Sequence, residues 1–192
     1  MRSELTTKER LLAEARDLYL EVGPVAFSLR EVARRSKVTA AAVYRHYEDK
    51  NALLGAVCAE GFRVFASYLM GALAKPKPLE RMRETGAQYL RFALERPRDY
   101  CVIFMGDAID PPPQATTPDA SFQFLLDRVR ECQQAKDIRK GDPNEIAVTI
   151  WAHVHGLVSL YLAGHLAPLG AEDDFRQLYT RSTDAMLASL AP

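Results

Sequence analysis

The sequence predicts an all-α protein of about nine helices. Apolar residues recur at the spacing of three to four that is typical of helices, and strand-like alternation is hard to find. Capping residues, glycines and prolines separate these helical stretches. The chain has 192 residues, of which 48% are hydrophobic, so a sizeable core can form without disulfide bonds.

Four helices are expected in the N-terminal part of the chain. Each start carries a residue that can cap free backbone N–H groups, namely Thr6, Ser28, Thr39 and Asp49. Glu9 and Glu31 follow the first two caps at the spacing of a capping box, and Gly23-Pro24 ends the first helix. The predicted ranges are 7–22, 28–35, 39–46 and 50–73.

Five more helices are expected in the rest of the chain. Asp107–Asp119 contains four prolines and is predicted to be a loop. Ile146–Gly164 approaches the length of a membrane span, but it carries two histidines and lacks a flanking basic cluster. It is therefore predicted to be a buried core helix. The predicted ranges are 79–95, 99–105, 120–136, 143–166 and 172–190.

The domain boundary is predicted near Lys50, between a head of residues 1–50 and a body of residues 51–192. The formal net charge of the chain is zero, yet Ser28–Lys50 holds six Lys and Arg residues against three Asp and Glu residues. Two short helices joined by a short turn and braced by a preceding helix form a helix-turn-helix. The head is therefore predicted to bind double-stranded DNA.

The second helix of such a motif enters the major groove, where its first residues meet base edges. Ala40 and Ala41 are small enough to let the backbone approach, and their methyl groups can touch a thymine methyl. Arg30 could fork onto a guanine, and Lys50 at a helix start could hold a phosphate. A solvated basic surface is the alternative. The residues predicted to bind DNA are Ser28, Arg30, Lys37, Thr39, Ala40, Ala41, Tyr44, Arg45, His46 and Lys50.

The stretch Phe27–Leu54 reads FSLREVARRSKVTAAAVYRHYEDKNALL. It combines a Ser cap, an aliphatic–Ala pair, a turn, a Tyr-x-x-aromatic pattern and a lysine before paired leucines. These features are Ser28, Val32-Ala33, Val38-Thr39, Tyr44 with Tyr47, Lys50 and Leu53-Leu54. The pattern resembles the signature of the TetR family of bacterial regulators. The resemblance implies a homodimer with a DNA-binding head and a divergent body that binds a small ligand, which lowers DNA affinity.

One position departs from that pattern, because the family turn usually has Gly where this chain has Lys37. A left-handed conformation there would be costlier for lysine than for glycine. The turn is expected either to relax slightly or to accept the strain and gain a phosphate contact.

The last two helices are predicted to form a dimer interface. Trp151–Gly164, WAHVHGLVSLYLAG, further resembles a C-terminal domain type of the family. This helix is apolar on all sides, so one face can pack within its subunit and another can pair with a partner. A monomeric core completed by both helices is the alternative. The predicted interface residues are Val158, Leu162, Phe175, Leu178, Tyr179 and Met186.

Aromatic residues cluster in the body and are predicted to line an apolar pocket with one polar anchor, His155. The expected effector is a small, largely apolar molecule. A plain core is the alternative for each residue. The other predicted pocket residues are Tyr89, Phe92, Tyr100, Phe104, Met105, Phe122 and Trp151.

No cofactor, metal site or catalytic group is predicted. His153 and His155 point to nearly opposite sides of a helix, and the three cysteines include no C-x-x-C pair. The N-terminus lacks an apolar signal segment, so a cytoplasmic protein without membrane contact is expected. The predicted function is a ligand-responsive regulator, a repressor that a small apolar molecule releases from an inverted-repeat operator. The alternatives are a protein-interaction domain without DNA binding and a small enzyme with His155 as general base near Asp107 or Asp110.

Overall fold

A computed structural model describes residues 6–106 and 118–192, and every regular element in these two ranges is helical. This confirms the predicted all-α fold. Short 3-10 turns cover Met70–Ala74 and Ala167–Leu169, and one π-helical turn covers Cys101–Met105. The nine α-helices of the described residues are α1 (Thr7–Ala26), α2 (Leu29–Arg35), α3 (Ala40–Tyr44), α4 (Lys50–Leu69), α5 (Pro78–Glu95), α6 (Pro97–Tyr100), α7 (Pro118–Gln134), α8 (Pro143–Leu162) and α9 (Glu172–Ala188).

Several helix ends differ from the predicted ones by two or more residues, and α8, for example, ends at Leu162 rather than Leu166. Two of the differences change what a segment forms. Helix α1 does not stop at Val22, because a short helical turn follows the break at Gly23, whose φ of +70° glycine adopts without steric penalty. Helix α7 begins at Pro118, within the stretch predicted as a loop. The remainder of that predicted loop, residues 107–117, lies outside the described residues.

The chain forms two compact units, and each contains two stretches of sequence. The first unit comprises Met1–Arg63 and Arg98–Thr117, and the second comprises Val64–Pro97 and Pro118–Pro192. The first unit, as defined by packing, is thus larger than the predicted head: it extends beyond residue 50 and includes a later segment of the chain. A functional boundary at residue 50 stays a prediction.

The core of the first unit is built by the inward stripes of α1 to α4. Leu11 and Leu18 of α1 pack with Val32 of α2, Val43 of α3 and Leu53 of α4, and all five side chains are buried. Their spacing matches one face of each helix, so burial of this apolar area stabilises the three-helix arrangement that presents α3.

The core of the second unit lies between α5, α7, α8 and α9. Met82, Val129, Ile150 and Leu187 are buried there, one from each helix. By length and composition alone, α8 and the stretch Lys50–Ala74 could cross a membrane. Each also supplies buried residues to a packed core, as helices of soluble domains do.

Candidate nucleic-acid interface and body site

The turn between α2 and α3 takes the left-handed conformation at Lys37, whose φ is +56°. Its N–H donates to the Arg34 carbonyl at 3.2 Å, and the N–H of Val38 donates to the Ala33 carbonyl at 3.0 Å. This pair of bonds is the Schellman motif, which usually has glycine at the left-handed position. The turn therefore accepts the strained conformation instead of relaxing.

Side-chain caps fix the starts of the first, third and fourth helices. Thr6 and Glu9 form the predicted capping box, and Thr39 Oγ1 accepts from the Ala42 N–H at 3.2 Å. Asp49 Oδ1 accepts from the Ala52 N–H at 2.8 Å. These predictions are confirmed.

The predicted capping box at Ser28 is wrong, because the Ser28 side chain makes no capping hydrogen bond. Glu31 turns instead to the guanidinium groups of Arg34 and Arg35, at 2.6 Å and 3.0 Å. Hydrogen bonds from these two groups lower the pKa of Glu31 to about 2. The carboxylate is thus used on the surface of α2 rather than at the helix start.

Most side chains predicted to bind DNA are exposed. Only Ser28 and Ala40 are half-buried, and Ala40 packs against the first-unit core. Helix α3 is shorter than predicted, since Arg45 is its C-cap and His46 lies beyond it. Its outer surface still presents Tyr44, which is 52% exposed. The exposed members of the predicted set are Arg30, Lys37, Thr39, Ala41, Tyr44, Arg45, His46 and Lys50.

Ion pairs and one hydrogen bond engage three of the six cations of Ser28–Lys50. Arg34 is held by Glu31, and Arg35 by Glu31 and Glu21. The Lys50 ammonium donates to the Pro24 carbonyl at 3.3 Å. In the described part of the chain, the remaining three cations form no ion pair, and these are Arg30, Lys37 and Arg45. Unpaired surface cations beside an exposed short helix suit the polyanionic backbone of DNA.

An alternating chain of charges joins α1 to α6 within the first unit. Arg16 pairs with Asp17 at 3.0 Å and with Asp99 at 2.8 Å, and Arg98 pairs with Asp17 at 2.8 Å. Asp99 is buried, at 8% exposure. Sequence reasoning missed this cluster because it assigned residues 98–105 to the body, and no local motif marks a pairing across 83 positions.

The eight predicted pocket residues are distributed over both units. Tyr100, Phe104 and Met105 belong to the first unit, where the Phe104 ring contacts those of Phe62 and Tyr100. Tyr100 is fully buried there, which is typical of a core residue. The other five belong to the second unit, and these are Tyr89, Phe92, Phe122, Trp151 and His155.

In the second unit, His155 lies within a small polar network. Its Nδ1 is 2.9 Å from the Tyr89 hydroxyl, and its Nε2 is 3.3 Å from the Ser159 hydroxyl. The Trp151 ring lies 6.0 Å from the imidazole and 6.2 Å from the Phe122 ring. Burial lowers the pKa of His155, which favours the neutral imidazole with one donor and one acceptor nitrogen.

A cavity of about 500 Å³ opens between α5 and α9. Its lining is largely charged and includes the Arg83–Asp184 ion pair, which joins the two helices at 3.0 Å. The aromatic residues predicted for an apolar pocket do not line it. Tyr179, predicted for the dimer interface, forms part of its wall and donates to the Gly86 carbonyl at 2.8 Å.

The dimer prediction needs correction at three positions. Val158, Phe175 and Tyr179 are 0%, 2% and 2% exposed, so their side chains fill the core of their own unit and cannot face a partner. The other three predicted residues, Leu162, Leu178 and Met186, are half-buried.

A stripe of outward-facing residues on α8 was not predicted from the sequence. Val148, Ala152, Gly156 and Leu160 recur every fourth residue; Val148 and Leu160 are 50% and 45% exposed. A Cβ added at Gly156 would meet no described atom within 4 Å other than its chain neighbours and the backbone of its own helix. The i, i+4 spacing could have revealed the stripe, but only once the buried face of α8 was known.

Within the described residues, no group of three or more His, Cys, Asp or Glu side chains could hold a metal ion. His153 and His155 have different neighbours, since His153 lies 3.3 Å from the Ser182 hydroxyl of α9. Asp107 and Asp110, named for the enzyme alternative, lie outside the described residues.

Two family models match the chain. "Bacterial regulatory proteins, tetR family" matches residues 11–57, and "Tetracyclin repressor-like, C-terminal domain" matches residues 82–186. The second match alone covers more than half of the chain, and the first contains the helix-turn-helix.

The chain is also similar to a curated relative in sequence and to solved structures in fold. An HTH-type transcriptional repressor of Mycobacterium tuberculosis is 49% identical over 47 residues, which are 24% of this chain and 25% of the relative. The match thus spans about a quarter of the length of the curated relatives. A protein of unknown function from Rhodococcus sp. RHA1 superposes with a TM-score of 0.79 at 27% identity, covering 100% of this chain and 98% of its own. The TetR family regulator PfmR from Thermus thermophilus shares the fold, with a TM-score of 0.76 at 19% identity over 95% of this chain and 100% of its own.

Proposed function

The chain belongs to the TetR family of bacterial transcriptional regulators, and we propose that it represses transcription until a small effector releases it from its operator. The family makes it a DNA-binding regulator rather than an enzyme. The observation that carries the proposal is the exposed outer face of α3, with three unpaired cations around it. Repression is supported by the name of the M. tuberculosis relative, a transcriptional repressor.

In the proposed complex, α3 lies in the major groove. Ala41 approaches the bases, where its methyl group can contact a thymine methyl, and Tyr44 and Arg45 bind the DNA backbone. Arg30 contacts a guanine edge. Lys50 exchanges its bond to the Pro24 carbonyl for a phosphate near the N-terminus of α4.

We further infer a homodimer that reads an inverted repeat. The outward stripe of α8 is the centre of the proposed interface, with Leu162, Leu178 and Met186 beside it. Small residues within the stripe let two copies of α8 approach closely, and a two-fold axis makes the contact self-complementary, so that the same surface is used by both subunits. Half-sites about one helical turn apart, or a multiple of it, would then suit the two heads.

The proposed effector is a small, largely apolar molecule that binds beside Trp151 and Phe122. Tyr89 and His155 offer the polar groups of this part of the second unit. Helix α4 supplies residues to both compact units, so we infer that it carries the signal. An effector shifts the equilibrium only by its differential affinity for the two states, and a coupling of about 1–3 kcal/mol is typical.

We also propose a cytoplasmic location without membrane contact, since a regulator of transcription acts on DNA.

A mobility-shift assay tests the proposed function. The probe is duplex DNA from the region upstream of the chain's own coding sequence, with a scrambled duplex as competitor. Specific retention supports the regulator, and no retention at low salt contradicts it. The single tryptophan, Trp151, then reports effector binding by fluorescence quenching, and each compound that quenches it is tested for loss of operator affinity.

A further inference from the structure

Two lysines adopt the conformation that normally favours glycine. Lys37 has a φ of +56° and Lys136 a φ of +62°, and the described chain contains no other non-glycine residue with positive φ. The Lys136 N–H donates to the Gln133 carbonyl at 3.1 Å, and the Asp137 N–H to the Cys132 carbonyl at 2.9 Å. This repeats the Schellman motif at Lys37, so α2 and α7 end in the same way.

Both lysines weaken the fold relative to glycine, for the same steric reason. A left-handed backbone brings Cβ close to the following carbonyl oxygen, and glycine has no Cβ. Both also place a cation near a helix C-terminus, where the helix dipole favours it. The dipole therefore gives no reason to treat the two positions differently.

The surroundings of the two lysines do differ. Lys37 lies two residues before Thr39, the cap of α3, and so beside the end of α3 that enters the groove in a helix-turn-helix. Arg34 and Arg35 are held by acidic partners, whereas the exposed Lys37 forms no ion pair in the described part of the chain. Lys136 belongs to the second unit and follows α7.

We propose that Lys37 binds a DNA phosphate at the edge of the groove occupied by α3, and that the turn keeps a strained lysine for this contact. The inference rests on the proposed function and adds to it a trade-off between stability and affinity at one residue. It assigns the contact to the ammonium group, because the backbone N–H of Lys37 is already bonded to Arg34.

Three variants test the assignment, namely Lys37→Gly, Lys136→Gly and Lys37→Arg. Both glycine variants relieve the steric strain, so the midpoint of thermal unfolding is expected to rise by roughly 2–4 °C in each. The affinity for a duplex of random sequence is then measured as a function of salt concentration. A random duplex suffices because phosphate contacts do not depend on sequence.

Only Lys37→Gly is expected to weaken DNA binding. Loss of one phosphate contact flattens the slope of log affinity against log salt by about 0.9 per subunit, or about 1.8 per dimer. At about 0.1 M salt this corresponds to roughly ten- to sixtyfold weaker binding. Lys136→Gly keeps the affinity and slope of the unmutated protein, and Lys37→Arg keeps them nearly unchanged.

An unchanged slope and affinity in Lys37→Gly would overturn the inference while leaving the proposed function intact. Equal loss of affinity in both glycine variants would also overturn it, because a general effect of the turn would then be responsible. Failure of the unmutated protein to bind any duplex at low salt would contradict the proposed function itself.

Discussion

At the scale of single residues, acidic partners decide which cations of the head are available to DNA. Glu31 lies on the same surface as Arg34 and Arg35 and holds both, whereas Arg30 and Arg45 stay unpaired in the described part of the chain. The sequence shows six basic residues in Ser28–Lys50 but not their partners, because rotamers of neighbouring side chains on α2 determine the pairing.

Glu31→Gln is expected to strengthen non-specific DNA binding. The substitution removes the negative charge and releases the Arg34 guanidinium group, whereas Arg35 keeps its ion pair with Glu21 at 2.7 Å. The slope of log affinity against log salt therefore steepens by up to about 0.9 per subunit if Arg34 reaches a phosphate. Glu60→Gln is the matched control, since Glu60 holds Arg63 of α4 at 2.6 Å in the same i, i+3 geometry. An unchanged slope in Glu31→Gln would show that Arg34 lies away from DNA.

His155 gives the fold a dependence on pH. Burial lowers its pKa in the folded state, so the unfolded chain binds more protons once the pH falls below about 6.5. Stability is therefore present above about pH 6.5 and is lost on acidification. His155→Gln is expected to lose less stability than the unmutated protein between about pH 7.5 and pH 5, measured by urea unfolding. Identical losses of stability in the variant and the unmutated protein would show that His155 does not cause the pH dependence.

At the scale of elements, helix caps formed by residues close in sequence could be predicted, whereas packing between segments far apart in sequence could not. The caps Thr6, Thr39 and Asp49 act within three residues, and all three were recognised from sequence. The capping box predicted at Ser28 does not form, because its expected partner, Glu31, binds Arg34 and Arg35 instead. The packing of residues 98–106 into the first unit depends on contacts with α1 and α4, far away in sequence, and helical periodicity carries no information about such contacts.

Gly61→Ala tests this packing. A Cβ at Gly61 would lie 2.6 Å from Ile103 Cγ2, so the added methyl group forces α4 and the π-helical turn apart. Overpacking costs about 1–3 kcal/mol, which exceeds the roughly 1 kcal/mol that alanine gains over glycine in a helix. Chemical denaturation should show a net loss of stability, and Ile103→Ala in the same protein should recover part of it. A more stable Gly61→Ala protein would contradict the observed contact.

At the scale of the whole molecule, the proposed regulator depends on pairing two chains through α8. Hydrophobicity alone could not tell the buried Val158 from the exposed Leu160, because α8 is apolar on most sides and the direction of each side chain follows from its packing on α5, α7 and α9. The family resemblance carried the expectation of a dimer, and the structure supplied an outward face that could serve it.

Leu160→Glu is expected to split the dimer without unfolding the chain. The side chain is 45% exposed in the isolated subunit, so glutamate is tolerated there, but a carboxylate from each subunit would lose its hydration in an apolar interface without a partner charge. Met70→Glu is the control, because Met70 is 56% exposed and lies outside the proposed interface. Light scattering should give a monomer for the first variant and a dimer for the second, and dimers in both would move the interface elsewhere.

The most direct test is a footprint of the purified protein on the DNA upstream of its own coding sequence. We expect protection of two inverted half-sites, with centres about one helical turn or a multiple apart, because two α3 helices related by a two-fold axis enter successive major grooves. Leu160→Glu should weaken both half-sites together. Protection of a single half-site by the unmutated protein, or no protection at low salt, would contradict a dimeric regulator that reads DNA through α3.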